Sequence, residues 1–318
     1  MDNNTLSFIK LIALGCMLIG AAQGQEPQLT GTLRVTSPDP RGRAVPRWNG
    51  SGLGFQDHSS VALFVDAQGS PTPIALTIPD ATEVHIRDVG HRSGEAFVLI
   101  GWAADRDKRI VNFLALVLSG NQPTKIVRTD PYAPMRLGVA QDGSFWTYGS
   151  EQTAPGHLSN TDAGMIRHFD ASGNPIGSYL PQSSIDKKED LRPGFTNFAV
   201  ASNRAGWYEG NARFYFEIAD GNVHKYPAIP ESACDVSTNP RGAYGLALTD
   251  NGGVFVSHWC GKLRQVYSLD RASMQWSPVR APNGDYQVLG SYGNHLVFHN
   301  RTDSREYHIY DVSQWSLH

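Results

Sequence analysis

The sequence is poor in the features that mark the commoner functional classes. Only three cysteines occur in 318 residues. They form no C-x-x-C pair, which argues against a thiol redox centre or a cysteine zinc site. Charged residues make up just 18%, the net charge is −3 and there is no run of basic residues. That balance gives no reason to expect nucleic acid or an anionic membrane as a partner. No apolar stretch reaches the roughly 20 residues that a membrane-spanning helix needs. The patterns G-x-S-x-G, H-x-H and H-E-x-x-H are all missing, so neither a nucleophile-elbow serine nor a zinc hydrolase announces itself.

What is plentiful is glycine (32) and proline (19), against 40% hydrophobic residues. This is enough apolar material for a sizeable core, cut by many tight turns, and it favours an all-β chain. The N-terminus stands apart. Lys10 precedes an apolar segment from Leu11 to Ala22, and Ala22 and Gly24 supply the small residues of a signal-peptidase site. Residues 1–24 therefore read as an export signal cleaved after Gly24, leaving 25–318 as a single secreted or periplasmic domain. A lipoprotein anchored through Cys16 is the lesser option, because Leu14 is large where that signal takes a small residue. Export leaves Cys234 and Cys260, which an oxidising compartment would join. A bond across that 26-residue separation would contribute about 3 kcal/mol on the chain-entropy model.

The organising feature is the stretch Met135–Tyr179. Apolar residues Leu137 and Val139 run into Asp142-Gly143, and Phe145, Trp146 and Tyr148 follow. After a polar loop, Ile166 and Phe169 enter Asp170-Ala-Ser-Gly173 and emerge at Ile176 and Tyr179. Two successive hairpins are written there. The second-hairpin turn recurs at Asp66, Ser119, Asp170, Asp220, Asp270 and Asp311, at intervals of 53, 51, 50, 50 and 41 residues. Glycines 94, 143, 206, 252 and 293 mark the first-hairpin turn in the same rhythm. A period of 40–50 residues with four strands per unit is the mark of a propeller blade. The units run from about Leu29 to Thr77, Glu83 to Arg128, Met135 to Tyr179, Thr196 to Pro227, Tyr244 to Val279 and Tyr286 to Leu317. The expected fold is an all-β, six-bladed β-propeller, with a pair of β-sandwiches as the alternative. Leu29–Ser37 either opens the first blade or completes the last. Asp186–Leu191 is a candidate for a turn of helix.

With this repeat, the chain resembles the six- to seven-bladed propellers of exported bacterial proteins, in the manner of NHL- or YVTN-like repeats. The resemblance spans nearly all of Leu29–His318 and rests on rhythm. The WD dipeptide is not present and a double glycine occurs once, at Gly252-Gly253, not as a repeated kelch motif, so no subfamily's activity comes with it.

Ligands of propellers usually sit among loops around the central channel. The loops joining second to third strands carry His58, Arg109, His157, Arg213, His258 with Lys262, and His299 with Arg301. If these converge, they make a cationic, imidazole-rich face suited to a carboxylate, phosphate or sulfated sugar. The same loops hold Asp57, Asp105, Glu151, Asp162, Glu209 and Asp303, from which a glycosidase-type carboxylate pair could be drawn. Trp102, Trp207 and Trp259 could stack on a sugar or pack between blades. His295 and His299, four apart on a strand, are a weak metal pair. The Asp66 and Asp170 turns lack calcium-loop spacing and read as turn chemistry. Asn49-Gly-Ser51 and Asn300-Arg-Thr302 match the glycosylation pattern.

The sequence thus leads to a monomeric binding module that takes a small molecule, glycan or protein on its loop face, without cofactor or metal. A lyase or hydrolase using loop-face histidines and carboxylates, and a structural scaffold of the cell envelope, are the alternatives.

Overall fold

A computed structural model describes residues 27–36, 45–56, 59–92, 96–118, 123–154, 157–159, 161–185, 197–208, 214–230, 241–260, 263–279 and 285–313. Its strands form six antiparallel sheets, one per blade. The first described strand is β1 (Gln28–Arg34), which is not part of the first blade. Blade 1 comprises β2 (Val45–Trp48), β3 (Gly52–Gln56), β4 (Val61–Asp66) and β5 (Pro71–Ala75). Blade 2 comprises β6 (Glu83–Arg92), β7 (Ala96–Ala104), β8 (Ile110–Leu118) and β9 (Pro123–Arg128). In blade 3, β10 (Tyr132–Val139), β11 (Phe145–Ala154), β13 (Gly164–Phe169) and β14 (Pro175–Pro181) are joined by a short extra strand, β12 (His157–Leu158), against β11. Blade 4 comprises β15 (Phe198–Ala201), β16 (Arg204–Tyr208), β17 (Phe214–Ala219) and β18 (Asn222–Pro227). Blade 5 comprises β19 (Arg241–Leu248), β20 (Val254–Cys260), β21 (Leu263–Asp270) and β22 (Gln275–Val279). Blade 6 is built from β23 (Tyr286–Tyr292), β24 (His295–Asn300) and β25 (Glu306–Asp311), with β1 as its outer strand.

The protein is therefore a six-bladed β-propeller. Ring closure takes the second of the two readings left open: β1 pairs antiparallel with β25, Thr32 facing His308 and Arg34 facing Glu306. Val45–Trp48 opens blade 1 in its place. Arg34 Nη2 also reaches Asp303 and Glu306 at 3.3 and 3.2 Å, so both backbone and charge hold the closing strand.

The burial pattern follows from the architecture. β7 reads almost continuously buried because blade 2 is covered on both faces, whereas β14, at a blade's outer edge, is mostly exposed. Six apolar clusters of described residues each fill one junction between neighbouring blades. One packs Ala62, Phe64 and Ile74 of blade 1 on Leu99 and Phe113 of blade 2. Another packs Leu33, Tyr307 and Ile309 of the closing sheet on Trp48 and Phe55 of blade 1. No blade can bury both faces alone, and stacking supplies the missing cover.

The turns repeat for a local chemical reason. Asp66 and Asp170 each accept hydrogen bonds through Oδ1 from the amides two and four residues on, at 2.8–2.9 Å. That is the Asx geometry that nucleates a tight turn. Two expected turns are corrected. Asp311 ends β25, whose outer partner is β1 instead of a strand that follows it. Gly206 lies inside β16, and the first-hairpin turn of blade 4 is Ser202-Asn203. Gly206 is required for another reason: a Cβ there would lie 2.5 Å from the Tyr215 hydroxyl. Gly94, Ser119 and Asp186–Leu191 lie outside the described residues. The short helix found nearby is a 3-10 turn at Gln182–Ser184. Among the described residues no helix is long and apolar enough to cross a membrane.

The first strands of successive blades meet at the axis, and there the chain buries polar groups. Arg47 (β2) forms an ion pair with Asp88 (β6), and both side chains are at most 5% exposed. Arg47 Nη2 also donates to the carbonyl of Phe198 in blade 4 at 3.2 Å. Asp88 Oδ2 accepts the Leu137 amide of blade 3 at 2.9 Å. Asn49 donates to the carbonyls of Val89 and Leu137 and accepts the Val139 amide, at 3.0–3.1 Å. Four blades are thus tied together by three side chains. Burial pushes the Asp88 carboxyl up from its ordinary range, opposed by the neighbouring guanidiniums of Arg47 and Arg136. Removing Asp88 strands the Arg47 charge, so Asp88→Ala should cost about 3–5 kcal/mol in urea unfolding. The double variant Arg47→Met/Asp88→Leu should lose clearly less.

Candidate functional site

At its midpoint the channel narrows to a space of about 20 Å³ bordered by Arg47, Asn49, Gly138 and Gly290. Gly138 and Gly290 are needed for this closeness, since a Cβ at either would meet Val200 or Trp48 of another blade at 2.2 and 2.9 Å. The polar residues on the axis therefore act as a stopper. On the side of the first-hairpin turns, the channel widens above it into a cup of about 350 Å³ to which all six blades contribute. A volume in this range with a mainly apolar lining is typical of small-molecule sites.

The cup is built from equivalent positions. Each innermost strand ends there, and each following turn forms a segment of the rim. Val139, Ala140, Val200, Ala201 and Leu248 give the apolar wall. Polar groups are held in place around it. Ser202 Oγ donates to Asp250 Oδ1 at 2.7 Å, joining blades 4 and 5. The Asp250 amide donates to the Gly293 carbonyl of blade 6 at 3.0 Å. Tyr292 stacks on Trp48 and on His295, with ring centroids 5.2 and 4.9 Å apart. Gln141 of blade 3 reaches over the mouth toward blade 6, its Nε2 lying 3.2 Å from where a Cβ would stand on Gly293. Between blades 1 and 2, Ser51 Oγ and His91 Nδ1 are 2.5 Å apart.

The cup lies on the face opposite the loops that the sequence singled out. Of those loop residues, His58, Arg213 and Lys262 lie outside the described residues, as does the side chain of His157, whose backbone sits in β12. Arg109 is exposed and neutralised within its own loop, with Nε on Asp105 at 3.0 Å and Nη2 on Asp107 at 2.6 Å. His258 is buried in β20, edge-on to Tyr267. His299 stacks on Tyr307 at 4.9 Å, with Nε2 3.1 Å from the Ser304 carbonyl. Arg301 donates to Gln287 Oε1 at 3.0 Å. The described candidates are thus engaged inside their own blades.

The other candidates are likewise accounted for structurally. Glu151 pairs with Arg167 at 2.8 Å, Asp162 accepts from Ser183, and Asp303 pairs with Arg305. Asp57 and Glu209 lie outside the described residues. Trp207 is completely buried between blades 3 and 4, and Trp102 stacks on His85 at 4.0 Å. His295 and His299 stack on different tyrosines, and four residues of strand separate them by about 13 Å, too far to share an ion. Among the described residues no group of three His, Cys, Asp or Glu could hold a metal. Asn49 is 3% exposed and fully hydrogen-bonded, so the Asn49-Gly-Ser51 pattern is not a glycan acceptor. Cys234 and the side chain of Cys260 lie outside the described residues. Ser51 and His91 were missed because they stand 40 residues apart in the chain and no motif links them; only the neighbouring-blade geometry does.

No family model matches the chain, and a search of curated proteins returns no match. Solved structures do resemble it. A PQQ-bound aldose sugar dehydrogenase from Streptomyces coelicolor aligns with TM-score 0.50 and 15% identity, over 90% of this chain and 98% of that one. A candidate exported protein of Bacteroides fragilis aligns with TM-score 0.50 and 10% identity, over 90% and 94%. A luciferin-regenerating enzyme gives 0.49 and 13%, over 90% and 94%. The two likenesses at TM-score 0.50 bear on the propeller fold alone, and a fold does not fix a function.

Burial lowers the proton affinity of both His258 and His299 below the ordinary value of 6.5. Their neutral forms therefore stabilise the fold above the unfolded pKa, and this contribution is lost as pH falls through the lower folded values. The urea midpoint should drop between pH 7 and pH 5, and the drop should be smaller in the variant His258→Gln/His299→Gln.

Proposed function

We propose that this protein is an exported ligand-binding propeller that holds a small molecule in the axial cup. The carrying observation is the stoppered channel: buried polar residues close its floor, and above them six blades enclose about 350 Å³ with an apolar wall and an oriented polar rim. A rim of this kind fixes orientation, while the wall provides the burial that drives binding. Gln141 lies at the mouth and not on the floor.

The test is a thermal-shift screen of small organic ligands against the mature chain. A ligand at 100 times its dissociation constant should stabilise by about 2.7 kcal/mol. Val200→Trp, which fills the cup, should abolish the shift, whereas the Arg109→Ala variant on the opposite face should retain it. A shift that survives Val200→Trp would place the ligand elsewhere and defeat the proposal.

The export reading rests on the apolar leader, with Gln25 as the first mature residue and a Cys234–Cys260 bond formed after export. N-terminal sequencing of protein from the secreting cell should begin at Gln25. Thiol titration of the unfolded, unreduced chain should find no free thiol.

A further inference from the structure

The pair Ser51–His91 has properties that a surface hydrogen bond does not require. Ser51 sits in the tight turn between β2 and β3, closed by the Asn49 amide donating to the Gly52 carbonyl at 2.9 Å, and is exposed. The turn is locked to the strand that carries His91. Gly50 forms a parallel bridge with His91, and the His91 amide donates to the Asn49 carbonyl at 3.3 Å. A Cβ on Gly50, whose φ is +74°, would lie 2.1 Å from the His91 carbonyl oxygen, so only glycine permits this approach. The imidazole is wedged against Phe64 and Phe97, with centroids 5.2 and 4.9 Å away. Hydroxyl and imidazole are therefore both held by backbone and packing, 2.5 Å apart, on the wall of the cup. Arg92 also lines the cavity, with its guanidinium turned toward blade 3. It donates through Nη1 to the Ala171 carbonyl at 2.7 Å, and its buried Nε has no hydrogen-bond partner among the described residues.

We propose that Ser51 and His91 are a nucleophile–base pair for acyl transfer to water, acting on a small ester bound in the cup. The proposal rests on the cup being a ligand site. His91 Nδ1 takes the Oγ proton as Oγ bonds to the ester carbonyl carbon, giving a tetrahedral oxyanion. Collapse breaks the bond to the alkoxy group, which leaves with the proton from His91. Water then attacks the acyl-serine in the same way and releases the carboxylic acid, restoring Ser51 and neutral His91. A preset nucleophile–base contact at hydrogen-bond distance is the geometric requirement for this chemistry.

The experiment is covalent labelling with an alkyl fluorophosphonate, read by peptide mass spectrometry, with 4-nitrophenyl acetate hydrolysis measured in parallel. The wild type should take up one equivalent on Ser51. Ser51→Ala, a one-atom deletion in an exposed turn, should take up none, and His91→Gln should label at least about 100-fold more slowly. Val200→Trp should hinder both reactions. Failure of the folded wild type to label, labelling that persists in Ser51→Ala, or a rate unchanged in His91→Gln would each overturn the pair as catalytic residues. If ligands from the thermal-shift screen still bind wild type and not Val200→Trp, the cup survives as a binding site and only the acyl-transfer step falls.

Discussion

The buried ion pair of Arg47 and Asp88, with Asn49 beside it, is the constraint on which the rest of the ring depends. A six-bladed ring leaves an axial gap too narrow for a broad water-filled pore and too wide for six innermost strands to close by backbone contact. Apolar side chains could fill that gap, but they would leave strand-end carbonyls and amides without partners. Arg47, Asp88 and Asn49 fill it and satisfy Phe198, Leu137, Val89 and Val139 together. Desolvating two charges is costly, and the pair persists because each charge also meets backbone dipoles. Its position divides the channel, and that division turns a tunnel into a cup.

The fold was legible because its signal is local and repeated. Asp66, Asp170 and Asp270 each build a turn from their own side chain and the next few amides, so blades 1, 3 and 5 each write their outer hairpin locally. Closure was not legible, since β1 and Val45–Trp48 are both short extended segments and only pairing with β25 distinguishes them. Gly206 misled because glycine serves both turns and close packing, and at this position Tyr215 is what demands it.

The candidate site was less readable, for a physical reason. Charged loop residues are visible in sequence, yet Arg109, His299 and Arg301 spend their polarity on neighbours within their own blades. The cup is composed instead of strand ends such as Val139, Val200 and Leu248, which look like ordinary core in one dimension. Its sharpest chemical feature joins a turn of blade 1 to a strand of blade 2. The pattern around Ser51 suggested a glycan acceptor, whereas packing of Asn49 into the axis excludes that and leaves the serine facing the cup.

The closing strand has a consequence for the order in which the molecule is made. Thr30 Oγ1 donates to the Ile309 carbonyl across 279 positions of chain, so β1 finds its place only after the strands of the other blades have been made. Until Glu306–Asp311 has emerged, Gln28–Arg34 has no partner and the face of blade 1 that receives Leu33 stays open. A chain still being synthesised therefore exposes an unpaired edge and an unfilled apolar seam. Ring completion is thus a single late event that separates a finished molecule from an unfinished one.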